Sequence, residues 1–128
     1  MRDWPEWPVC ATEALPGDGA LAFEVGEGDW PLRGFLVHRG GVLRAYANIC
    51  PHKRYPLNLA EHDFLVPGQA LLRCAHHGAL FEVETGLCLV GPCAGRRLLA
   101  LELREDGGRV LVRAPESLTA GLAALDGP

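Results

Sequence analysis

The sequence predicts a mainly β protein whose short antiparallel strands form a sandwich or a small barrel. Three observations support this fold class: short runs of strand-forming residues recur along most of the chain, Gly, Pro, Asn and Asp separate these runs, and helical periodicity is scarce. Many short strands joined by tight turns bury their apolar faces by packing two layers together or by closing one sheet on itself.

Seven segments have the composition of strands, and they are residues 21–25, 34–38, 42–48, 70–74, 80–84, 98–103 and 109–113. A glycine-rich turn at Arg39-Gly40-Gly41 joins the second and third segments, and Glu105-Asp106-Gly107-Gly108 joins the last two. Both pairs are therefore predicted to be antiparallel hairpins. Apolar residues partly alternate in the last two segments, as expected of strands with one face on a core.

Proline-containing segments interrupt this pattern at residues 50–56 and 91–95. Neither is expected to be a central strand, because proline cannot donate a hydrogen bond to a neighbouring strand. Near the end of the chain, Leu118, Leu122 and Leu125 are spaced as on one face of a helix and follow a serine. This spacing predicts one short helix in the tail.

Composition limits the classes of function. A chain of 128 residues is long enough for one domain with its own core, and 48% hydrophobic with 22% charged residues is ordinary for a globular protein. The net charge of -4, without a dense run of Lys and Arg, argues against nucleic-acid binding. No apolar run is long enough for a membrane span and no secretion signal is recognisable, so we expect a cytoplasmic protein without a membrane partner.

The cysteines carry the strongest functional signal. Five cysteines, an odd number without a secretion signal, favour metal or redox chemistry over a disulfide framework. Cys50-Pro51-His52 is followed, after twenty-one residues, by Cys74-Ala75-His76-His77-Gly78. These stretches contain a C-x-H box, Cys50 with His52, and a C-x2-H box, Cys74 with His77. Each box supplies one thiolate and one imidazole and follows a β-rich run, so two loops could clamp one metal ion or cluster between them.

The two boxes and their surroundings resemble the Rieske family, especially its small bacterial ferredoxins. The resemblance includes the glycine after the second box and the downstream Gly91-Pro92 pair, and it extends over roughly residues 30–113. It implies an antiparallel β-sandwich with a small cluster-binding subdomain, at about residues 48–95, made of two loops plus a proline loop. It also implies a single domain over residues 1–128 with a C-terminal tail at 115–128.

The resemblance further implies one Rieske-type 2Fe-2S cluster. In that family two cysteines bind one iron and two histidines bind the other, so Cys50 and Cys74 would hold the inner iron, and His52 and His77 the outer iron. His77 is expected rather than His76, because it has the matching offset from Cys74 and precedes the glycine. The resemblance implies no catalytic residue.

The residues around the boxes indicate a low reduction potential within the Rieske range. An oxidised cluster with two thiolates is neutral, so it accepts an electron more readily than an all-cysteine cluster. Respiratory Rieske proteins have a serine and a tyrosine at the positions of Ala79 and Phe81. They also have two cysteines, joined as a disulfide, at the positions of Arg54 and His76. Without the two hydroxyl donors we predict a potential of roughly -150 mV. Quinol oxidation as a respiratory subunit is not expected.

Two other uses of the cysteines remain open. A Cys2His2 set also binds structural zinc, although zinc sites usually pair Cys with Cys and His with His. Cys88 and Cys93 have the opening spacing of plant-type ferredoxins, but the C-x2-C that should follow is missing. We expect Cys88 and Cys93 to be small buried residues beside the proline loop, with a disulfide or a redox-sensitive pair as the alternative. Cys10 is expected to be a partly buried thiol.

The resemblance implies an electron carrier rather than an enzyme. It would accept single electrons from a reductase and pass them to a terminal oxygenase or a similar enzyme, through small, transient contacts as a monomer. One alternative is the small Rieske subunit of a nitrite reductase-type complex, and another is a cluster-based redox sensor. A catalytic oxygenase would need a further domain for mononuclear iron, and 128 residues are not expected to provide it.

Overall fold

A computed structural model describes residues 4–15, 17–26, 31–51, 55–75 and 78–115. Its strands are β1 Glu6–Ala11, β2 Gly19–Val25, β3 Leu32–Arg39, β4 Val42–Ala47, β5 Leu71–Arg73, β6 Leu80–Glu82, β7 Cys88–Val90, β8 Ala100–Asp106 and β9 Arg109–Arg113. A short 3-10 helix, Thr12–Ala14, follows β1. The predicted mainly β, antiparallel fold is confirmed.

The larger sheet, here called the framework, has the strand order β1-β9-β8-β4-β3-β2, and every neighbouring pair is antiparallel. Both predicted hairpins are part of it. Gly40 and Gly41 have φ values of 60° and 80°, and Gly107 and Gly108 have 59° and 80°. Positive φ at both central residues is typical of the two-residue turn whose twist matches that of the flanking strands, which explains the glycine pairs.

A three-stranded sheet, β5-β6-β7, lies in the chain between β4 and β8. This insertion, residues 48–99, is here called the subdomain. Each of its strands has only three residues, and turns and loops connect them. The insertion starts and ends at neighbouring backbone positions, because the amide of Ala47 donates to the carbonyl oxygen of Leu99 at 3.0 Å.

Strands β3 and β4 separate two hydrophobic cores. On β3, Phe35 and Val37 face one core while Leu36 faces the other, and on β4 the same alternation places Tyr46 opposite Ala45. The subdomain core comprises Phe35, Val37, Tyr46, Cys50, Leu57, Phe64, Leu72, Cys74, Ala79, Phe81, Val83, Cys88, Cys93 and Leu98. The framework core comprises Val25, Leu32, Leu36, Ala45, Ala47, Leu101, Val110, Val112 and Ala114. The two strands are thus buried on both faces.

Two strands were not predicted from the sequence, and the ends of others differ. β1 contains Pro8 and pairs with β9 at the edge of the framework, with an irregular register next to the proline. Such an edge is where proline is tolerated. β7 has only three residues, which are too few to show the alternation of apolar and polar residues that identifies a strand. β8 begins at Ala100 instead of residue 98, because Leu98 turns into the subdomain core and its amide donates to the carbonyl oxygen of Gly86.

The helix predicted in the tail falls on residues 116–128, which are outside the described residues. Within the described ranges, the structure contains no helix with the length and apolar character needed to cross a membrane.

Candidate metal centre

The first box follows β4 on a loop whose base is closed by hydrogen bonds. The amide of Cys50 donates to the carbonyl oxygen of Tyr55 at 2.8 Å. Beneath it, the buried side chain of Asn48 accepts from the amide of Leu57 at 2.7 Å and donates to Oδ1 of Asn58 at 2.8 Å. Because Asn48 joins both sides of the loop, the buried Cys50 side chain is held at a defined position.

The second box follows β5 on a tight turn that leads into β6. The amide of Cys74 donates to the carbonyl oxygen of Ala79, and the amide of Gly78 donates back to the carbonyl oxygen of Cys74, both at 2.9 Å. Gly78 has a φ of 70°, a left-handed conformation that favours glycine. The glycine after the second box therefore has a backbone reason to be there, and the Cys74 side chain is fully buried.

The two loops contact each other directly. The amide of Ala75, next to Cys74, donates to the carbonyl oxygen of Leu57 in the first loop at 2.7 Å. Cys50 and Cys74 both belong to the subdomain core. The fold thus places two buried thiols in one core, on loops that a hydrogen bond joins although the two cysteines are more than twenty residues apart in the sequence.

The proline loop, residues 91–95, contacts both of these loops. A Cβ atom built on Gly91, whose φ is 110°, would lie only 2.9 Å from Cα of Ala79, beside the second box. On the other side, Nη1 of Arg96 donates to the carbonyl oxygen of Pro51 in the first box at 3.1 Å. Three separate segments therefore meet around the two buried cysteines.

Two further cysteines lie in this region. The sulfur of Cys93 donates to the sulfur of Cys88 at 3.1 Å, and the sulfur of Cys88 donates to the carbonyl oxygen of Val90 at 3.3 Å. Burial, followed by the hydrogen bond with Cys88, raises the pKa of the Cys93 thiol to about 11, while a hydrogen bond with Cys50 acts in the opposite direction. Cys88 and Cys93 are buried, as predicted for residues beside the proline loop.

No cysteine forms a disulfide; all five belong to the described part of the chain. The partly buried position predicted for Cys10 is confirmed, and burial raises the pKa of its thiol. Ala79 and Phe81, the residues at the positions of the missing hydroxyl donors, are fully buried.

The histidines of the two boxes, His52 and His77, lie outside the described residues, as do Arg54 and His76. Among the residues that are described, no group of three or more His, Cys, Asp or Glu side chains is arranged to hold a metal ion. Two buried thiols in hydrogen-bonded loops fit half of a mixed cysteine and histidine ligand set, since thiolate ligands suit an iron–sulfur cluster.

Two residues that organise the site were not identified from the sequence. Asn48 is the only buried polar residue among those described, and Arg96 links the proline loop to the first box. A signal for Asn48 exists, because an amide at the end of an apolar strand, two residues before a cysteine box, is a candidate loop brace. Arg96 has no comparable signal, since arginine after a glycine turn is common at protein surfaces.

Comparison with known proteins adds the family. A family model described as the Rieske [2Fe-2S] domain matches residues 6–113. No curated protein matches the chain significantly.

Several solved structures share the fold. The ferredoxin of carbazole 1,9a-dioxygenase from Nocardioides aromaticivorans IC177 is 24% identical with a TM-score of 0.64, over 86% of this chain and 97% of that one. A ferredoxin from Sphingomonas yanoikuyae B1 is 18% identical with a TM-score of 0.65, over 87% of this chain and 100% of that one. The terminal oxygenase of carbazole 1,9a-dioxygenase from Novosphingobium sp. KA1 is 18% identical with a TM-score of 0.70, over 86% of this chain but only 30% of the oxygenase.

Proposed function

The chain belongs to the Rieske [2Fe-2S] domain family, and on this premise we propose that it carries single electrons from a reductase to a terminal oxygenase or a similar enzyme. The family implies a 2Fe-2S cluster as the cofactor. When bound, such a cluster gains and loses one electron at a time. The observation that carries the proposal is the convergence of two buried cysteines, on loops joined by backbone hydrogen bonds, within this fold.

We propose Cys50 and Cys74 as ligands of one iron, and His52 and His77 as ligands of the other. The positions of Cys50 and Cys74 support the first half, because each is buried at the base of a closed loop. The second half rests on the spacing of the boxes in the sequence. No other residue is assigned a role in binding iron.

The chain surrounds Cys50 and Cys74 with a closed and water-poor environment. Each cysteine loop is closed at its base by a backbone hydrogen bond, and one further hydrogen bond joins the two loops. Little rearrangement of the protein is then needed when the charge at the site changes, which favours rapid electron transfer. Burial of both sulfurs also keeps water away from them.

The partner classes follow from the proteins that share the fold. A ferredoxin and a terminal oxygenase of carbazole 1,9a-dioxygenase both match this chain structurally, and the ferredoxin does so over nearly its whole length. We propose that the chain meets its reductase and oxygenase transiently, as redox partners usually do. We propose a monomeric, cytoplasmic protein of one domain, with a potential near the low end of the Rieske range.

Spectroscopy of the purified protein tests the cofactor and its ligands. The expected result is a visible and EPR spectrum of a Rieske cluster, with equal amounts of iron and acid-labile sulfide. A colourless protein that contains zinc and no sulfide would contradict the proposal.

Variants then test the ligand set. Cys50→Ser, Cys74→Ser, His52→Ala and His77→Ala should each lose the Rieske spectrum, while Cys10→Ser and His76→Ala should keep it. Loss in His76→Ala together with retention in His77→Ala would overturn the histidine assignment. Reduction of the loaded protein by one electron per chain, followed by reoxidation with a purified oxygenase component, tests the carrier role.

A further inference from the structure

Three cysteine side chains are buried close together where β7 leads into the proline loop, and the proposed ligand set uses only one of them. Cys50, Cys88 and Cys93 are 1%, 2% and 1% exposed, and all three belong to the subdomain core. Ordinary packing does not require thiols at positions 88 and 93, because alanine or valine would fill similar space. Their sulfur contacts indicate a more specific role.

Cys93 has both of the other cysteines as neighbours in this core. Its thiol donates to the sulfur of Cys88 at 3.1 Å. Burial raises the pKa of the Cys93 thiol, and Cys50 is near enough that hydrogen bonding with it acts in the opposite direction and lowers that pKa. The proton of Cys88 is already directed elsewhere, to the carbonyl oxygen of Val90 at 3.3 Å. The contacts therefore form a chain that runs from the ligand cysteine through Cys93 and Cys88 to a backbone carbonyl.

The backbone holds both non-ligand cysteines at the two sides of the same turn. The amide of Gly95 donates to the carbonyl oxygen of Cys88, and the amide of Arg96 donates to that of Cys93, both at 2.9 Å. The amide of Cys88 in turn donates to the carbonyl oxygen of Arg96 at 2.8 Å. Because these bonds fix the Cα positions, the sulfur contacts are a property of the loop rather than of a freely moving side chain.

The number of available protons decides which way the Cys93 thiol points in the loaded protein. A thiol has one proton, and Cys93 has two sulfur neighbours that could accept it. Once Cys50 binds iron as a thiolate, its sulfur can only accept, and it carries negative charge. A charged acceptor makes the stronger hydrogen bond, whereas the neutral sulfur of Cys88 is a weak acceptor. Rotation about the Cβ–Sγ bond of Cys93 is sufficient to make the change.

We infer that Cys93 donates a hydrogen bond to the Cys50 ligand in the loaded protein, and that Cys88 positions the Cys93 thiol. The inference rests on the proposed ligand set. It assigns a sulfur-directed donor to a chain whose Ala79 and Phe81 lack hydroxyls. Hydrogen bonds to ligating sulfur stabilise the additional negative charge of the reduced state, so the Cys93 thiol raises the reduction potential above that of the same chain without it.

Redox titration of three loaded variants tests the inference. Cys93→Ala and Cys88→Ala each remove one sulfur from the same core, so they are matched for packing, but only Cys93→Ala removes the donor. The expected result is a downward shift of the potential in Cys93→Ala, several times larger than any shift in Cys88→Ala. Cys93→Ser retains a donor and should return the potential to the wild-type value or above it. Equal shifts in the two alanine variants would overturn the inference.

Two further measurements test the inference without relying on the potentials. Pulsed EPR of the reduced protein in deuterated water should show an exchangeable deuteron coupled to the cluster, which Cys88→Ala keeps and Cys93→Ala loses. Mass spectrometry should find both thiols reduced in the loaded protein, and a disulfide between Cys88 and Cys93 would overturn the inference. Should Cys93→Ala fail to bind the cluster, a potential in Cys93→Ser clearly below the wild-type value would overturn the inference, because the serine hydroxyl still provides a donor.

The two proposals fail in different ways. A wild-type protein without a Rieske spectrum contradicts the proposed function. An intact Rieske spectrum in the wild type and the variants, with unchanged potentials and no difference in deuteron coupling, contradicts only the role of Cys93.

Discussion

The framework and the subdomain reach a stable arrangement by different means. Framework strands have five to eight residues and pair along most of their length, so backbone hydrogen bonds and a core of alternating side chains reinforce each other. The subdomain strands have three residues each, at the short end of the usual range. Its core includes Phe35, Val37 and Tyr46 from the framework, so the subdomain depends on the framework surface for much of its burial.

This difference separates stability from function within one chain. The long strands supply a continuous surface, and the short strands and loops place the buried Cys50 and Cys74 on it. We expect damage to the shared surface to affect both regions, damage to the loops to affect mainly the site, and damage at the far edge of the framework to affect mainly stability.

Phe35→Ala is expected to have the largest effect, because Phe35 lies on the surface that the two regions share. Its fully buried ring stacks on Phe64 with centroids 4.1 Å apart and contacts Tyr46 at 5.9 Å. Truncation of a buried phenylalanine typically costs about 3–5 kcal/mol. The free energy of unfolding, measured by urea denaturation, should fall by that amount, and cluster occupancy should fall with it.

The matched control is Phe35→Leu, which keeps most of the apolar volume and should lose less than half as much stability. A stable Phe35→Ala variant without its cluster would show that the subdomain can be lost alone, and the expectation that damage to the shared surface affects both regions would then be wrong.

Gly91→Ala is expected to have an intermediate effect that is confined to the site. The φ of Gly91 is 110°, and an added Cβ atom would lie 2.9 Å from Cα of Ala79. Strain of this kind costs about 1–3 kcal/mol. The proline loop should separate from the second box, and loss of the cluster to a chelator should become several-fold faster, as followed by visible absorbance.

Gly95→Ala is the control for this variant, because Gly95 has a similar φ of 89° but open space around its Cα. Gly95→Ala should therefore have the backbone strain of a positive φ without a steric contact like the one between Gly91→Ala and Ala79. If the two variants lose the cluster at the same rate, the contact between Gly91 and Ala79 does not hold the loop in place.

The smallest effect is expected at the edge of the framework, at Glu6. Its carboxylate accepts from Arg104 at 2.7 Å and from Arg113 at 3.2 Å, and these partners, Arg104 above all, lower the pKa of Glu6 from 4.5 to about 2. A lowered pKa in the folded state favours folding above pH 4.5, and this contribution is lost as the pH falls from about 4.5 to about 2. In Glu6→Gln, urea unfolding midpoints should be lower at neutral pH and should fall less steeply across this window.

Glu13→Gln is the comparison for this pH effect, because it removes one carboxylate elsewhere on the chain. If the unfolding midpoints of Glu6→Gln and wild type change in parallel between pH 5 and pH 2, the ion pairs of Glu6 with Arg104 and Arg113 do not contribute to stability.

The framework was predicted more completely from the sequence than the subdomain. Glycine pairs at 40–41 and 107–108 predict their hairpins because the turn type itself requires positive φ. β7 was missed because three residues are too few to show the alternating pattern of a strand. β1 was missed because it contains Pro8, which is tolerated only in an edge strand, and the local sequence does not reveal that β1 lies at an edge. Motif spacing alone selects Cys50 and Cys74 as candidate ligands, whereas the contact between the sulfurs of Cys93 and Cys88 depends on how the proline loop folds.

The hydrogen bond between Ala47 and Leu99 also has a consequence for protein engineering. Because the subdomain leaves and rejoins the framework at adjacent backbone positions, residues 48–99 can be regarded as a cassette inserted between two neighbouring strands. A cassette of this kind can be exchanged between related frameworks without altering the register of either strand. The apolar side chains that line the junction, Phe35, Val37 and Tyr46, would be the part of the recipient that has to match.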